Sequence, residues 1–341
     1  MLSMLLSRRV RAVTTGSRNL VVRFGSTKSN PNAAIDSRLA GRRRFYKQVG
    51  VIPVMPPWVD STDTTILPSP ISAGVDGSSS ANGVCNTILS HELRKKHLQP
   101  NTDHNNWFGI TLDGRSVSTP LGSSLSVPSR QLAWMIAAEW DAQEKELKPT
   151  QMPLMTLACT ALDQTANAMH VYQQQALSYL PTDTLCFWVD PMEERVLYRK
   201  QQKAWEKIHT ICEQVLGDKP AMTLGVTDSL WLTRKAKGLP HPPKVMQEAT
   251  ALVHSLNAWE LTALASITTN CKSILIGLAM LYSNSLTPAQ ASTASRVEEE
   301  FNIDNWGLVE GGHDYDRLNS SIQLHAAEIM IQTTRGKPPS L

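Results

Sequence analysis

The chain has 341 residues, with 33 Lys and Arg against 30 Asp and Glu, and 41% of its residues are hydrophobic. This length accommodates one large domain or two of ordinary size. The hydrophobic content excludes a fully disordered chain, and a mean hydropathy of -0.22 argues against a polytopic membrane protein. The five cysteines lie far apart in the sequence, which fits neither a disulfide framework nor a zinc ribbon.

The first 28 residues carry six basic residues and no acidic one, and the first acid of the chain is Asp36. Arginines interrupt every apolar run there, whereas a secretory signal needs about 7 to 15 uninterrupted apolar residues. The composition predicts a mitochondrial presequence over residues 1–28. A basic tail that contacts nucleic acid or anionic lipid is the alternative. Without this segment, the formal net charge changes from +3 to −3.

Residues 42–127 are predicted to form a small antiparallel β domain. A basic run is followed by an alternating segment, and a second alternating segment ends at Asp113-Gly114. This dipeptide predicts a type I′ hairpin turn, in which both central residues need a positive φ. Within the domain, residues 53–106 contain six prolines and a serine run without a sustained period. We therefore expect a disordered Pro/Ser-rich insertion over 53–106.

From residue 128 to about 335 the apolar residues recur with a helical period, which predicts a larger, mainly helical domain and an α+β fold. In the first helix, residues 128–146, we expect Trp140 to be a core anchor and Glu139 to face outward. Residues 257–282 are very apolar, but charged and polar residues interrupt them. A membrane span needs about 20 apolar residues, so this segment is predicted to be a core helix without membrane insertion.

Two further helices are predicted near the end of the chain. Thr287-Pro288-Ala289-Gln290 has the pattern of a capping box with proline in the first helical position, and it predicts a helix that ends near Phe301. The last helix is predicted to run from about Asp314 to Thr333. Its expected buried residues are Leu318, Ile322, Ile329 and Met330.

The usual catalytic and cofactor motifs are absent from the sequence. It contains no phosphate-binding glycine loop, dinucleotide fingerprint, nucleophile elbow or zinc-protease motif. The nine histidines are dispersed, and we expect no metal site and no cofactor. The acidic body shows no basic helix with interleaved aromatics, so no nucleic-acid partner is expected.

Seven carboxylates surround Trp306 between residues 296 and 316. Glu310 lies between two glycine-containing dipeptides, which places it in a loop. Such an acid can pair with Arg or Lys on a partner protein, or it can cap the last helix. The cluster is also typical of a solvated helix end. A hydrolase or metal-dependent enzyme that uses Glu310, His313 and Asp314 is a further alternative.

The sequence resembles the mitochondrial assembly chaperones for the catalytic head of the F-type ATP synthase, specifically the family that handles the alpha subunit. The similarity covers residues 42–52 and 107 to about 330. The matching stretches are Arg44-Phe45-Tyr46-Lys47, Leu112-Asp113-Gly114-Arg115, Thr119-Pro120, Val127-Pro128-Ser129, Ala138-Glu139-Trp140-Asp141, Met152-Pro153-Leu154-Met155-Thr156-Leu157-Ala158, Thr182-Asp183-Thr184-Leu185-Cys186, Trp205, Arg296-Val297-Glu298-Glu299-Glu300, Trp306-Gly307, Glu310 and His313-Asp314-Tyr315. The segment 53–106 is longer than the connection that is usual in the family.

The resemblance implies a chaperone of the mitochondrial matrix that is not an enzyme and is monomeric when free. It would bind the unassembled alpha subunit and shield the subunit interface until the beta subunit replaces it. The family is held to depend on an acidic residue in the C-terminal region, and the resemblance places this role on Glu310, with Glu298 to Glu300 as the rival acids. Trp306, Glu310, His313 and Asp314 are therefore the expected partner-binding residues.

A third hypothesis is a scaffold whose Pro/Ser-rich insertion recruits a partner. It is distinct from both the chaperone and the enzyme, because it places the interaction in residues 53–106. The chaperone hypothesis requires no catalytic residue, since a client released by a tighter competitor needs no chemical step.

Overall fold

The computed structural model describes residues 41–59, 92–100, 106–225, 238–308 and 313–335 of the protein, with the backbone alone at His313. The predicted presequence 1–28 lies outside these residues and stays a prediction. Glu310 also lies outside them.

A four-stranded antiparallel sheet is formed near the start of the described chain. Its central strand, β2, pairs with β1 on one side and with the short strands β3 and β4 on the other. In chain order the strands are β1 (Val49–Val54), β2 (Trp107–Leu112), β3 (Arg115–Ser116) and β4 (Ser126–Val127). Asp113 and Gly114 have φ values of 49° and 80°, which confirms the predicted hairpin turn between β2 and β3. The strand β1 is an edge of the sheet.

The rest of the described chain is mainly helical, which confirms the predicted α+β class. The helices are α1 (residues 92–98), α2 (Arg130–Asp141), α3 (Pro153–Asp163), α4 (Met169–Leu177), α5 (Arg195–Leu216), α6 (Pro243–Ser255), α7 (Ala258–Cys271), α8 (Ile274–Tyr282), α9 (Pro288–Ser295), α10 (Val297–Trp306) and α11 (His313–Arg335). A two-stranded parallel pair, β5 (Phe187–Trp188) and β6 (Thr223–Leu224), lies beside α5 in the sequence.

The predicted insertion 53–106 has ordered ends, which corrects its expected bounds. Residues 53 and 54 belong to β1, and residues 92–98 form α1. Leu98 at the end of α1 is fully buried, and its carbonyl accepts a hydrogen bond of 2.9 Å from the indole of Trp259. Burial of this apolar residue fixes the segment although its sequence has no helical period. Within 53–106, only residues 60–91 and 101–105 lie outside the described chain.

The sheet and the helices share one hydrophobic core. Trp107 of β2 has its ring 6.2 Å from that of Trp259 in α7, and Tyr46 packs edge-on against Trp140 of α2 at 5.6 Å. Trp140 is buried, as the sequence predicted. The division of the chain into two domains at residues 127 and 128 stays a prediction.

Glu139 does not face outward, which corrects the expectation from the helical pattern. Its carboxylate accepts hydrogen bonds of 2.8 Å from the backbone N–H groups of Leu154 and Met155, in the first turn of α3. Pro153 occupies the first position of that helix, and no side chain of its own N-cap residue accepts a bond. Glu139 therefore caps α3 from the neighbouring helix. Burial raises its pKa to about 7.

The predicted capping box at the start of α9 is confirmed. Thr287 and Gln290 each bond the backbone N–H of the other. The helix does not continue to Phe301, however, because the chain breaks at Arg296, whose φ of −115° and ψ of 11° lie outside the regular helix. The segment forms two helices, α9 and α10.

The very apolar segment 257–282 consists of two helices. Lys272, with a φ of 56°, separates α7 from α8, and the side chains of both helices are largely buried. This confirms the predicted core role. Within the described ranges, no helix has the length and apolar content that crossing a membrane requires.

A buried ion pair joins the end of the last helix to this core. Glu260 of α7 is fully buried, and its carboxylate pairs with the guanidinium of Arg335. The same glutamate forms a capping box with Asn257 at the start of α7. Arg335 also donates a hydrogen bond of 2.6 Å to the Leu281 carbonyl and stacks on Tyr282. The C-terminal half of α11 is thus fixed to α7 and α8.

Replacing Arg335 with methionine should lower the free energy of unfolding by about 3–5 kcal/mol, because the buried carboxylate of Glu260 would lose its guanidinium partner. Urea denaturation of the purified protein measures this loss. Arg317→Met in the same helix is the matched control, since Arg317 pairs with Glu300 at the surface and such pairs contribute about 0–1 kcal/mol. Equal losses in the two variants would contradict the structural role of Arg335.

Candidate partner-binding surface

The surface that carries the predicted site begins at the end of α10. Trp306 is the last residue of this helix, and 78% of its side chain surface is exposed. Gly307 follows with a φ of 88°, a backbone conformation that favours glycine and ends the helix. Leu308 is also exposed. A large aromatic side chain therefore projects into solvent at this helix end.

The first half of α11 adds an exposed apolar stripe. Tyr315, Leu318 and Ile322 are 64%, 63% and 38% exposed, and their spacing places them on one helical face. In the second half of the same helix, Leu324, Ala327, Met330 and Ile331 are buried. The helix is packed into the core at its C-terminal half only. We call the five residues Trp306, Leu308, Tyr315, Leu318 and Ile322 the apolar patch.

The exposure of Leu318 and Ile322 is a correction, since the sequence predicted both as buried. Met330 is buried and Ile329 packs against the core, as predicted. A helical apolar period shows that a face of the helix avoids water, but it does not distinguish a core from a partner. The predicted partner-binding residues did not include Tyr315, Leu318 or Ile322. Their exposure in the structure makes them candidates.

The structure describes only some of the predicted partner-binding residues. Trp306 and Asp314 are both exposed, and they flank the undescribed residues 309–312 from opposite sides. His313 begins α11, but its side chain lies outside the description. Glu310 lies outside the described chain as well, so its role stays a prediction. The part of the site that the structure describes is an exposed tryptophan and the exposed first turns of α11.

The three consecutive glutamates of α10 are engaged within the chain. Glu298 accepts a hydrogen bond of 2.9 Å from Gln201, and burial raises its pKa. Glu299 accepts a bond of 2.7 Å from Arg296. Glu300 accepts two bonds from Arg317, at 3.0 and 2.5 Å, which join α10 to α11. Glu298 and Glu300 thus join α10 to α5 and α11 beside the apolar patch.

The described residues show no metal-binding cluster. Groups of three or more His, Cys, Asp and Glu side chains that suit a metal ion are absent from the parts of the chain that the structure describes. The thiols of Cys159, Cys186, Cys212 and Cys271 are buried, and burial raises the pKa of each. Thiols of this kind are unreactive, because the thiolate is the nucleophile.

Comparison with known proteins finds similarity to ATP12 proteins. The family model described as ATP12 chaperone protein matches residues 94–213. The mitochondrial atp12 protein of Schizosaccharomyces pombe is 25% identical over 228 residues, covering 65% of this chain and 76% of that protein. The mitochondrial ATP12 protein of Saccharomyces cerevisiae is 26% identical over 255 residues, covering 65% and 78% respectively. The chain is therefore similar in sequence to the ATP12 chaperone proteins.

A solved structure of an ATP12 protein agrees with the fold. The crystal structure of Atp12 from Paracoccus denitrificans matches with a TM-score of 0.59 and 27% identity, covering 67% of this chain and 92% of that chain. The resemblance of the sequence to the assembly chaperones is thereby confirmed. The similar proteins are assembly chaperones, a non-enzymatic role, which agrees with the prediction that the protein is not an enzyme.

The exposed and buried leucines of α11 should respond differently to truncation. Leu318→Ala should change the free energy of unfolding by less than about 0.5 kcal/mol, because the side chain is exposed. Leu324→Ala, in the same helix, should cost about 2–5 kcal/mol through the lost burial and the cavity that remains. Chemical denaturation of both variants measures the difference. A large loss from Leu318→Ala would place this leucine in the core after all.

Proposed function

We propose that this protein is a mitochondrial matrix chaperone that assists assembly of the catalytic head of the ATP synthase by binding its unassembled alpha subunit. The apolar patch on α10 and α11 is the single observation that carries the proposal. The similarity to ATP12 proteins supports a chaperone, and the sequence resemblance points to the alpha subunit as the client. The relatives from both yeasts are named mitochondrial proteins.

The apolar patch has the properties of a protein-binding surface. Large apolar side chains that are exposed together on a soluble protein, with charged residues around them, are typical of interaction sites. The Glu300–Arg317 pair and Asp314 surround the patch with charge. An aromatic residue such as Trp306 is a frequent anchor in such sites, because it buries a large area with little loss of side-chain entropy.

Binding and release need no chemical step in this proposal. An alpha subunit alone exposes an interface that the assembled head buries, and exposed apolar surface of that size promotes aggregation. Reversible binding by the chaperone lowers the concentration of the exposed surface by mass action. The beta subunit then displaces the chaperone because it binds the same interface more tightly. We propose that the free chaperone is monomeric.

We propose Glu310 as the acid that contacts the client, together with Trp306, His313 and Asp314. The rival acids Glu298, Glu299 and Glu300 already bond to Gln201, Arg296 and Arg317. Glu310 lies in sequence between the two exposed parts of the patch. A charged contact at this place would orient a client whose affinity comes from the apolar patch.

Aggregation of the isolated alpha subunit tests the proposal directly. The purified protein without residues 1–28 should suppress light scattering by unfolded alpha subunit and should co-elute with it in size-exclusion chromatography. The beta subunit, added in excess, should release the chaperone. The proposal fails if the protein neither suppresses aggregation nor co-elutes with the alpha subunit.

An acidic substitution in the patch should weaken client binding without unfolding the protein. Leu318→Asp should lower the affinity for the alpha subunit by about 30-fold or more, since it leaves a charge in the apolar contact. Leu121→Asp is the control, because Leu121 is similarly exposed but lies in the β3–β4 connection. Isothermal titration measures both affinities, and circular dichroism verifies the fold. Equal affinities for the two variants would remove Leu318 from the contact.

A charge reversal at Glu310 tests the acid. Glu310→Lys should weaken alpha-subunit binding at least about 10-fold while the thermal unfolding midpoint changes little, because a repulsive charge would replace an attractive one. Glu144→Lys, at an exposed position after α2, controls for the change in net charge. If Glu310→Lys instead unfolds the protein, Glu310 is a structural cap of α11.

A further inference from the structure

A groove of about 460 Å³ lies between α5, α9 and α10, beside the apolar patch. One wall carries Lys200, Lys203 and Lys207 of α5. The floor is apolar and includes Ala204, Leu286 and Val297. This combination of a basic wall and an apolar floor belongs to neither the predicted site nor the proposed client patch.

The three lysines form a row along α5. Their spacing of three and four residues places them on one helical face, and at 1.5 Å per residue the row spans about 10 Å. Lys200 pairs with Asp304 at 2.5 Å, and Lys207 bonds the Ser285 carbonyl. The Lys203 side chain is exposed and has no ion pair or hydrogen bond within the described ranges of the chain. The row therefore retains positive charge for a ligand.

The charge of α5 contrasts with that of the protein. The helix contains five Lys and Arg residues and two Glu, whereas the chain after residue 28 has a formal net charge of −3. In the sequence, Trp205 and the other apolar residues of the helix show its amphipathic period more clearly than the lysines show the basic face. A concentrated positive row on an acidic body attracts an acidic ligand specifically.

We propose that this groove docks an acidic amphipathic segment of the client, with carboxylates against the lysine row and an aliphatic side chain on the floor. The inference rests on the proposed function, because the client is the alpha subunit. It adds a second contact, of stated chemistry, to the apolar patch.

The lysine row favours a protein segment over a small anion. Small-molecule sites hold their ligand with a few precisely placed polar groups in an enclosed cavity. Here the charges are lysine ammonium groups on flexible stems, two of them on exposed residues, and they are spread over about 10 Å. A single phosphate or carboxylate cannot contact all three, whereas a segment with carboxylates at helical spacing can.

The groove adjoins the apolar patch through α10. Glu300 lines the groove and accepts the two hydrogen bonds from Arg317 of α11, the helix that carries the exposed stripe. Lys200 lies 5.5 Å from the ring centre of Phe301 and pairs with Asp304, close in sequence to Trp306. A client that covers the patch is therefore in reach of the groove.

The first test reverses charge in the groove. The double variant Lys203→Glu with Lys207→Glu should bind isolated alpha subunit about 10-fold more weakly than wild type, with a smaller decrease of affinity as salt is raised. Lys95→Glu with Lys96→Glu is the matched control, since both lysines are exposed on α1 and neither lines the groove. Titration calorimetry at a low and a high salt concentration measures the affinity of each variant and how strongly it depends on salt. The inference is overturned if the groove variant binds as tightly as the control.

The second test identifies the occupant. A photoreactive benzophenone amino acid at the exposed position Ala289, which lines the groove, should cross-link to an acidic segment of the alpha subunit. Mass spectrometry locates the cross-linked peptide. A cross-link to a basic segment, or to a second copy of the chaperone, overturns the proposal.

A third measurement separates this inference from the proposed function. A synthetic helical peptide that alternates Glu and Leu at helical spacing should bind wild type more tightly than the groove variant in fluorescence anisotropy. If the alpha subunit does not bind wild type but this peptide discriminates between the two proteins, the proposed client is wrong and the groove chemistry stands. If the peptide binds both proteins equally, the groove chemistry is wrong.

Discussion

The buried pair between Glu260 and Arg335 fixes the arrangement on which the proposed client surface depends. Glu260 also caps the start of α7, so one carboxylate organises a core helix and holds the end of α11. With its C-terminal half buried in this way, the same helix extends its first turns beyond the core. The exposed stripe at Tyr315, Leu318 and Ile322 is a consequence of anchoring the helix at one end. The core holds α11 in place but leaves the stripe on its first turns exposed.

The charges around α10 hold the helix that carries Trp306 in place. Glu298 bonds to Gln201 of α5 and Glu300 to Arg317 of α11, while Glu299 bonds to Arg296 at the start of α10 itself. These bonds use charged groups as structural connections and keep the apolar residues in one orientation. The lysine row on the neighbouring face of α5 adds positive charge beside these acidic residues. Apolar, acidic and basic groups thus lie beside one another, which gives a client several ways to be recognised.

The sequence predicts those features that depend on local chemistry. Asp113-Gly114 adopts the expected turn, because few other residues tolerate two positive φ values in succession. Thr287 and Gln290 form the expected capping box. Features that depend on distant residues were not predictable. Glu139 turns inward because α3 lacks a cap of its own, and Leu318 is exposed because the buried half of α11 ends before it. The patch could be found only once the packed half of the helix was known.

The edge strand β1 has a consequence for a protein that is proposed to bind an unassembled subunit. An edge strand offers backbone groups that can extend a sheet, and a strand of another chain can pair with it. Pro53 lies in this strand, faces solvent and has no N–H to donate. Substituting it would restore a hydrogen-bond donor at the edge. The proline thus makes this edge a poor template for pairing with a strand of another chain.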